Sequence, residues 1–236
     1  MKNPCFNLIE DEAASRLEKY YQGWLDQQAE GNARYEALLS LGFLSWRDGN
    51  ETKARMHFHQ SAQLAVELLD AYEDRGATRE IAHFLTPLML ILAFGDRDAC
   101  MRLSNIPQQS WFYPVDIQFV PLANLIETVN RAVLGELIPQ EKIEAGLREN
   151  QSPDANSFYR PYIAASYNIL MSLQSHNIAG LQQGMEILLH LHEQEAFEGA
   201  WKKRVEGMVS LWASALQRVI AGANVKISIS SIYLPQ

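Results

Sequence analysis

The chain has 236 residues, of which 47% are hydrophobic and 20% are charged, and its 20 basic and 28 acidic side chains give a formal charge of -8. A chain of this length buries roughly 70–75% of the surface it would expose unfolded, so it can build a large core without disulfides or metals. The acidic balance argues against nucleic acid or an anionic membrane as the main partner, because both favour clustered Lys and Arg. It permits a basic protein partner.

The acidic surplus lies in the first two thirds of the chain. Residues 1–80 hold 14 acidic and nine basic side chains, residues 81–160 hold nine and six, and residues 161–236 hold five of each. Cys5 and Cys100 match no zinc or redox spacing, which predicts two reduced thiols and a cytoplasmic protein. Acidic residues follow Met1 too closely for a signal peptide, and no apolar run is long enough to span a membrane, so we expect neither.

Apolar residues recur with the helical period along almost the whole chain, and strand-like alternation is nearly absent. The sequence therefore predicts an all-α fold: a single domain (1–236) built as an irregular stack of antiparallel α-hairpins with an extended C-terminal tail. Residues 152–156 are the best candidate for a subdomain boundary. We predict nine or ten helices, over about 10–30, Arg34 to Arg47, a third capped by Asn50, Ile81 to Phe94 with an interruption near Pro87, a short one through Leu103, and then about 116–134, 140–149, 157–174, 177–195 and 199–222.

The second and third helices show a spacing typical of a tetratricopeptide hairpin. Gly42 and Ala54 supply small residues where the two helices cross, and Leu41 and Phe58 supply large apolar side chains around the crossing. Val66 stands where the repeat usually closes with Pro, and the period does not recur cleanly. The pattern thus favours a local likeness over a regular solenoid.

No sequence motif identifies an enzyme or a cofactor site. Only Glu80 and His83 fit the Glu-x-x-His spacing of a di-iron helix bundle, which needs two such pairs. Glu186, His190 and Glu193 share one helix face and remain open as metal ligands, although such a trio is more often a solvated face. We expect no catalytic residues, no metal and no cofactor.

Large aromatic side chains occur in segments that ought to lie near the surface. Trp, Tyr and Arg dominate the energetics of protein interfaces, so these segments are candidate partner-binding residues, although their rings fit equally well as plugs at the ends of helix pairs. By contrast, Trp24, Trp46 and Trp212 lie on helical stripes and are predicted core residues. The binding candidates are Trp111, Phe112, Tyr113, Tyr159 and Arg160, together with the acidic side chains of Asp70, Glu73 and Asp74.

Three segments give the chain a likeness to a known protein family. They are Leu41-Gly42 through Phe58 and Gln63, Leu92 to Asp96 before a short helix, and the ending Ile232 to Pro235. In these segments the chain resembles the all-helical Immunity protein 49 family of bacterial polymorphic toxin systems. The resemblance implies a non-enzymatic cytoplasmic protein that binds one cognate toxin, and it carries over no site residue.

Two functions follow as hypotheses. The first is a toxin-neutralising immunity protein that acts by stoichiometric binding of a protein toxin, which the acidic charge predicts to be basic. The alternative is a helical-repeat adaptor or scaffold that binds a peptide or protein partner in a concave groove, which requires a regular superhelix. The oligomeric state is left open.

Overall fold

The computed structural model describes residues 9–73, 81–107, 116–202, 204–229 and 231–235. Within these residues the chain forms ten α-helices and no strand, which confirms the predicted all-α fold. Two short 3₁₀ turns accompany the helices, at Ile117–Phe119 and Val205–Met208. The helices are α1 (Asp11–Asp26), α2 (Gly31–Arg47), α3 (Glu51–Glu73), α4 (Ile81–Phe94), α5 (Arg97–Asn105), α6 (Val120–Val133), α7 (Gln140–Asn150), α8 (Arg160–Gln174), α9 (Ile178–Phe197) and α10 (Leu211–Gly222).

Glycines allow large side chains to fill the crossings of neighbouring helices. A Cβ atom added at Gly42 in α2 would lie 2.6 Å from the ring of Phe58 in α3. The ring cannot give way easily, because it is fully buried and contacts Phe43 and Phe94 at centroid distances of 5.2 and 4.8 Å. At the crossing of α7 and α8, a Cβ atom at Gly146 would lie 2.2 Å from the ring of Tyr167.

Helix α10 lies at the centre of the molecule. It packs against α4, α6, α8 and α9, and most of its residues are buried. The guanidinium of Arg218 in α10 donates to the carbonyl of Leu92 at 3.0 Å. This carbonyl is near the C-terminal end of α4, where the helix dipole favours a positive charge. In a regular solenoid each repeat contacts only its sequence neighbours. The last helix, α10, instead contacts α4, which is far from it in the sequence, so the helices form a bundle rather than a regular solenoid.

The residues after α10 return to the N-terminal half of the chain. The indole Nε1 of Trp46 donates to the carbonyl of Ile232 at 2.8 Å, and the backbone N–H of Ser210 donates to the carbonyl of Tyr233 at the same distance. Tyr233 and Leu234 are buried in the core. These contacts hold the segment before α10 in place.

Two details of the predicted helices are wrong. Helix α4 continues through Pro87, because packing against α3 and α10 offsets the one backbone hydrogen bond that a proline removes. The predicted helix over 199–222 begins only at Leu211: Ser210 is its N-cap, and its hydroxyl accepts from the N–H of Ala213 at 3.2 Å. Val209 and Met208 are buried without being in an α-helix, which is why their apolar character resembled one more helical turn.

The tryptophans predicted to be core residues divide into two groups. Trp46 and Trp212 are buried, as predicted. The prediction is wrong for Trp24, which is only half-buried and lies in a surface cluster with Tyr20 and Tyr21. Helix α1 packs against α2 and buries only Ala14 completely, so its aromatic stripe keeps much of its exposure.

Over the described ranges, no helix combines the length and the apolar character that crossing a bilayer requires.

A candidate binding cleft lined by aromatic side chains

A cleft of about 270 Å³ opens between side chains of α2, α4, α8, α9 and α10 and the segment that joins α9 to α10. Leu85, Thr86 and Met89 of α4 form one side of it. Since the contributing segments are far apart in the sequence, only the folded chain brings them together. The aromatic residues that line the cleft are Phe43, Phe158, Tyr159, Tyr162, His192, Trp201 and Trp212.

One wall of the cleft is a continuous series of aromatic contacts. The ring centroids of Tyr162 and Trp212 are 5.0 Å apart, and Tyr159 stacks on Trp212 at 6.4 Å with an interplanar angle of 21°. Phe158 meets Tyr159 edge to face at 4.9 Å. Offset and edge-to-face contacts at these distances are favourable, so the wall presents large apolar surfaces in fixed orientations.

Hydrogen bonds fix Trp212 at the base of this wall. Its Nε1 donates to the hydroxyl of Ser166 at 2.7 Å, and that hydroxyl donates to the carbonyl of Tyr162 at 2.8 Å. The indole is 7% exposed, and its single polar atom is satisfied. Trp212 therefore serves both the core and the cleft.

His192 supports the opposite wall. Burial lowers the pKa of its imidazole to about 4, so the ring is neutral near pH 7. Its Nε2 lies 2.9 Å from the carbonyl of Gly207, which can only accept, so Nε2 carries the proton and donates. Trp201 packs on the imidazole with centroids 5.0 Å apart. The buried histidine thus holds Trp201 and the segment after α9 against α9.

One carboxylate lines the cleft, and a second lies beside it, bonded to Ala200 of the lining. Glu206 lines it and accepts two hydrogen bonds from the guanidinium of Arg204, at 2.6 Å and 3.3 Å. Glu195 on α9 accepts from the N–H of Ala200 at 2.9 Å. Burial, and after it the charge of Glu195, raise the pKa of Tyr159 and that of Tyr162. Glu195 therefore lies close enough to the two tyrosines to disfavour their ionisation.

The hydroxyl of Tyr162 has no hydrogen-bond partner among the described residues. The residue is 3% exposed and lines the cleft. A buried polar group without a partner is unfavourable, and most such groups in native proteins are satisfied by protein, water or ligand. A residue that lines the cleft thus has a buried polar atom without a partner among the described residues.

The rim of the cleft is apolar on the side of α8. Phe158 is 43% exposed, and the segment that precedes it is hydrogen-bonded through Asn156 to Gln118, at 3.0 Å between backbones and 2.9 Å between side chains. Ile117 and Val120, on either side of that contact, are 66% and 37% exposed. We refer to these three exposed side chains, Phe158 at the cleft and Ile117 and Val120 on the segment bonded through Gln118, as the apolar strip.

The structure describes part of the predicted binding residues. Tyr159 lies in the aromatic wall and is half-buried. Arg160 donates to the carbonyls of Ser152 and Ala155 at 2.9 and 3.0 Å, so its guanidinium fastens the loop before α8. Asp70 on α3 pairs with Arg102 on α5. Outside the described residues are Trp111, Phe112, Tyr113, Asp74 and the side chain of Glu73.

The residues considered as metal ligands do not form a metal site where the structure describes them. Among the described residues, no three His, Cys, Asp or Glu side chains are placed to hold one ion, and this includes Glu186, His190 and Glu193. Those three side chains line a separate surface groove against the C-terminal segment. Glu80 and the side chain of His83 lie outside the described residues.

Sequence reasoning missed Trp201, His192 and Glu206 as residues of the cleft. Trp201 lies in the stretch predicted as the start of the last helix, where its side chain has no evident role. Two signals indicate otherwise: Gly199 interrupts the helical pattern, and Ser210 precedes an apolar run as an N-cap does. Together they predict a non-helical segment before Leu211, and this segment carries Trp201.

Comparison with known proteins adds no relative: no protein-family model matches the chain, and neither curated proteins nor solved structures give a match.

Proposed function

We propose that the protein is an immunity protein, which binds one cognate bacterial toxin stoichiometrically and neutralises it. The contact surface is the aromatic cleft together with the apolar strip of Phe158, Ile117 and Val120. The observation that carries the proposal is the opening of an aromatic cleft beside exposed apolar side chains. The likeness of the sequence to an immunity protein family supports the same function.

The physical basis is that of an interface hot spot. Buried aromatic side chains contribute much binding free energy at a low entropic cost, since a Tyr or Trp ring has few rotatable bonds. Ser166, Trp212 and His192 hold the rings in place before the partner arrives. A pre-organised surface loses less entropy on binding, so it binds more tightly for the same area.

The charge of the chain supports a basic toxin as the partner. A net charge of -8 attracts a basic protein over a distance and speeds its association, more strongly at low salt. Binding over the active site of the toxin would be enough for neutralisation. Such a mechanism needs no catalytic step from this chain.

Co-expression with the product of the adjacent upstream gene tests the proposal. We expect that gene product to arrest growth alone, growth to recover when both chains are made, and the two proteins to co-purify in a fixed ratio. A gene product that is harmless, or a toxic one that this chain neither binds nor neutralises, would contradict the proposal.

Replacement of Tyr159 by Ala tests the contact surface. Because Tyr159 stacks on Trp212 at the wall of the cleft, its loss should raise the dissociation rate of the complex by about tenfold or more. Arg131→Ala is a matched control, since Arg131 lies on α6 in a surface pair with Glu136 and does not line the cleft. Surface plasmon resonance with the purified toxin measures both rates.

A further inference from the structure

We propose that the cleft binds the guanidinium group of an arginine side chain from the protein partner. This inference rests on the proposed function only in that the partner is a protein. It names the chemistry of the group that enters the cleft, and three independent features of the cleft support it.

The first feature is the aromatic surface. The faces of Trp and Tyr rings carry negative electrostatic potential and attract cations within about 6 Å of the ring centre. Tyr159, Tyr162 and Trp212 present such surfaces in one wall, and Trp201 faces the cleft from the segment between α9 and α10. A planar guanidinium can also stack on these rings, which an ammonium group cannot.

The second feature is the negative charge. Glu206 already holds a guanidinium in a two-bond arrangement, that of Arg204 two positions earlier in the chain. The Arg204 side chain is 60% exposed, and exposed ion pairs contribute little, so a better-buried guanidinium can replace it on Glu206. Glu195 adds a second negative charge beside the cleft, since it accepts from the N–H of Ala200, a lining residue, at 2.9 Å.

The third feature is the unpartnered hydroxyl of Tyr162. A guanidinium has five N–H donors and no acceptor, so one of them can donate to this oxygen while others reach Glu206. The volume of about 270 Å³ lies just below the range of small-molecule pockets, roughly 300–1,000 Å³. That size suits a single side chain from a larger partner.

A capped arginine, N-acetyl-arginine methylamide, is the probe for a first test. Titrated into the full-length protein, it should shift the indole N–H signals of Trp201 and Trp212 in NMR spectra, with a dissociation constant in the millimolar range. Capped lysine should bind at least about threefold more weakly, since it cannot stack, and capped leucine should not compete. Absence of indole shifts, or equal binding of all three probes, would overturn the inference.

Two variants assign the binding to its residues. Glu206→Gln and Tyr162→Phe should each weaken binding of the capped arginine at least about threefold, whereas Glu136→Gln, which removes a carboxylate from another surface arginine pair, should not. Tyr162→Phe removes only a hydroxyl without a partner, so the variant should unfold at the wild-type temperature or above. Unchanged affinity in both cleft variants would overturn the inference.

The two proposals fail separately. If capped arginine does not bind but toxin neutralisation still depends on the cleft, the immunity function stands and the arginine assignment is wrong. If capped arginine binds in the cleft but the neighbouring gene product is harmless, the immunity function is wrong and the arginine site stands.

Discussion

Among the described residues, two surface-accessible aromatic clusters are built in different ways. Tyr20, Tyr21 and Trp24 lie within two turns of α1, with centroid distances of 5.0 to 5.6 Å, and they belong to a single helix. The cleft around Tyr159 and Trp212 combines rings from four helices, from the residues just before α8 and from the segment after α9. Helical periodicity alone produces the first cluster, whereas only the tertiary fold produces the second.

This difference distinguishes an aromatic surface from the candidate binding cleft. The α1 cluster has aromatic area, and no buried polar atom of it is left without a partner among the described residues. The cleft has a buried unpaired hydroxyl, two nearby carboxylates and an indole fixed by hydrogen bonds. Convergence of rings with polar groups in a restrained geometry gives specificity, which area by itself does not.

The largest expected contrast between the two clusters is in stability. Trp212→Ala removes a buried ring and leaves the hydroxyl of Ser166 without its donor. The substitution should therefore lower the free energy of unfolding by about 3–5 kcal/mol. Trp24→Ala removes a half-buried ring on α1 and should cost about 1 kcal/mol. Urea unfolding of both variants measures the difference. Similar costs would show that α1 is packed as firmly as the cleft.

The second contrast is in the response to acid. His192 has a pKa of about 4 in the folded chain against 6.5 as its ordinary value, a gap worth about 3 kcal/mol. Because the folded pKa is depressed, this stability is present above pH 6.5 and is lost as the pH falls toward 4. His192→Gln keeps an N–H donor for the carbonyl of Gly207. The free energy of unfolding of this variant should therefore depend less on pH between 6.5 and 4 than that of the wild type.

Unfolding measured between pH 4 and pH 7 tests this expectation. His190→Gln is the matched control, because His190 lies exposed on the same helix. A wild-type pH slope retained in His192→Gln would contradict the proposed protonation of the buried ring.

Glycine substitutions extend the contrast to backbone packing. Gly42→Ala forces a Cβ atom onto the buried ring of Phe58 and should cost about 1–3 kcal/mol. Gly23→Ala on α1 meets nothing within 4 Å and should stabilise the protein by up to about 1 kcal/mol, because alanine favours helix. Thermal unfolding distinguishes the two signs. Equal effects would mean that α2 and α3 can separate to admit the methyl group.

The smallest expected effect concerns the acidic end of α3. Asp70→Lys removes an exposed pair with Arg102 and reverses one charge away from the cleft, so it should slow toxin association about two- to fivefold at low salt. The dissociation rate should stay within about twofold of wild type, since rim charges act mainly on association. Stopped-flow kinetics at two salt concentrations measure both. A rise in the dissociation rate with an unchanged association rate would place Asp70 inside the interface.

The sequence predicted the all-α fold because the helical period is strong in nearly every segment. It also predicted the close approach at Gly42 and the burial of Trp46 and Trp212, which depend on periodicity and residue size. The sequence could not predict the position of α10 among the other helices, because packing between distant helices leaves no local pattern. The cleft was found only through Tyr159, since Trp201, His192 and Glu206 become neighbours only through the path of the segment after α9.

The most direct test compares the affinity for the neutralised toxin of Trp201→Ala with that of Trp24→Ala. Both tryptophans are half-buried, and neither belongs to the hydrophobic core, so the two substitutions should disturb the fold to a similar small extent. If the cleft is the contact surface, Trp201→Ala should weaken binding by about tenfold or more, and Trp24→Ala should change it by less than about twofold. The opposite order of effects, or an unchanged affinity of Trp201→Ala, would contradict the assignment of the cleft as the contact surface.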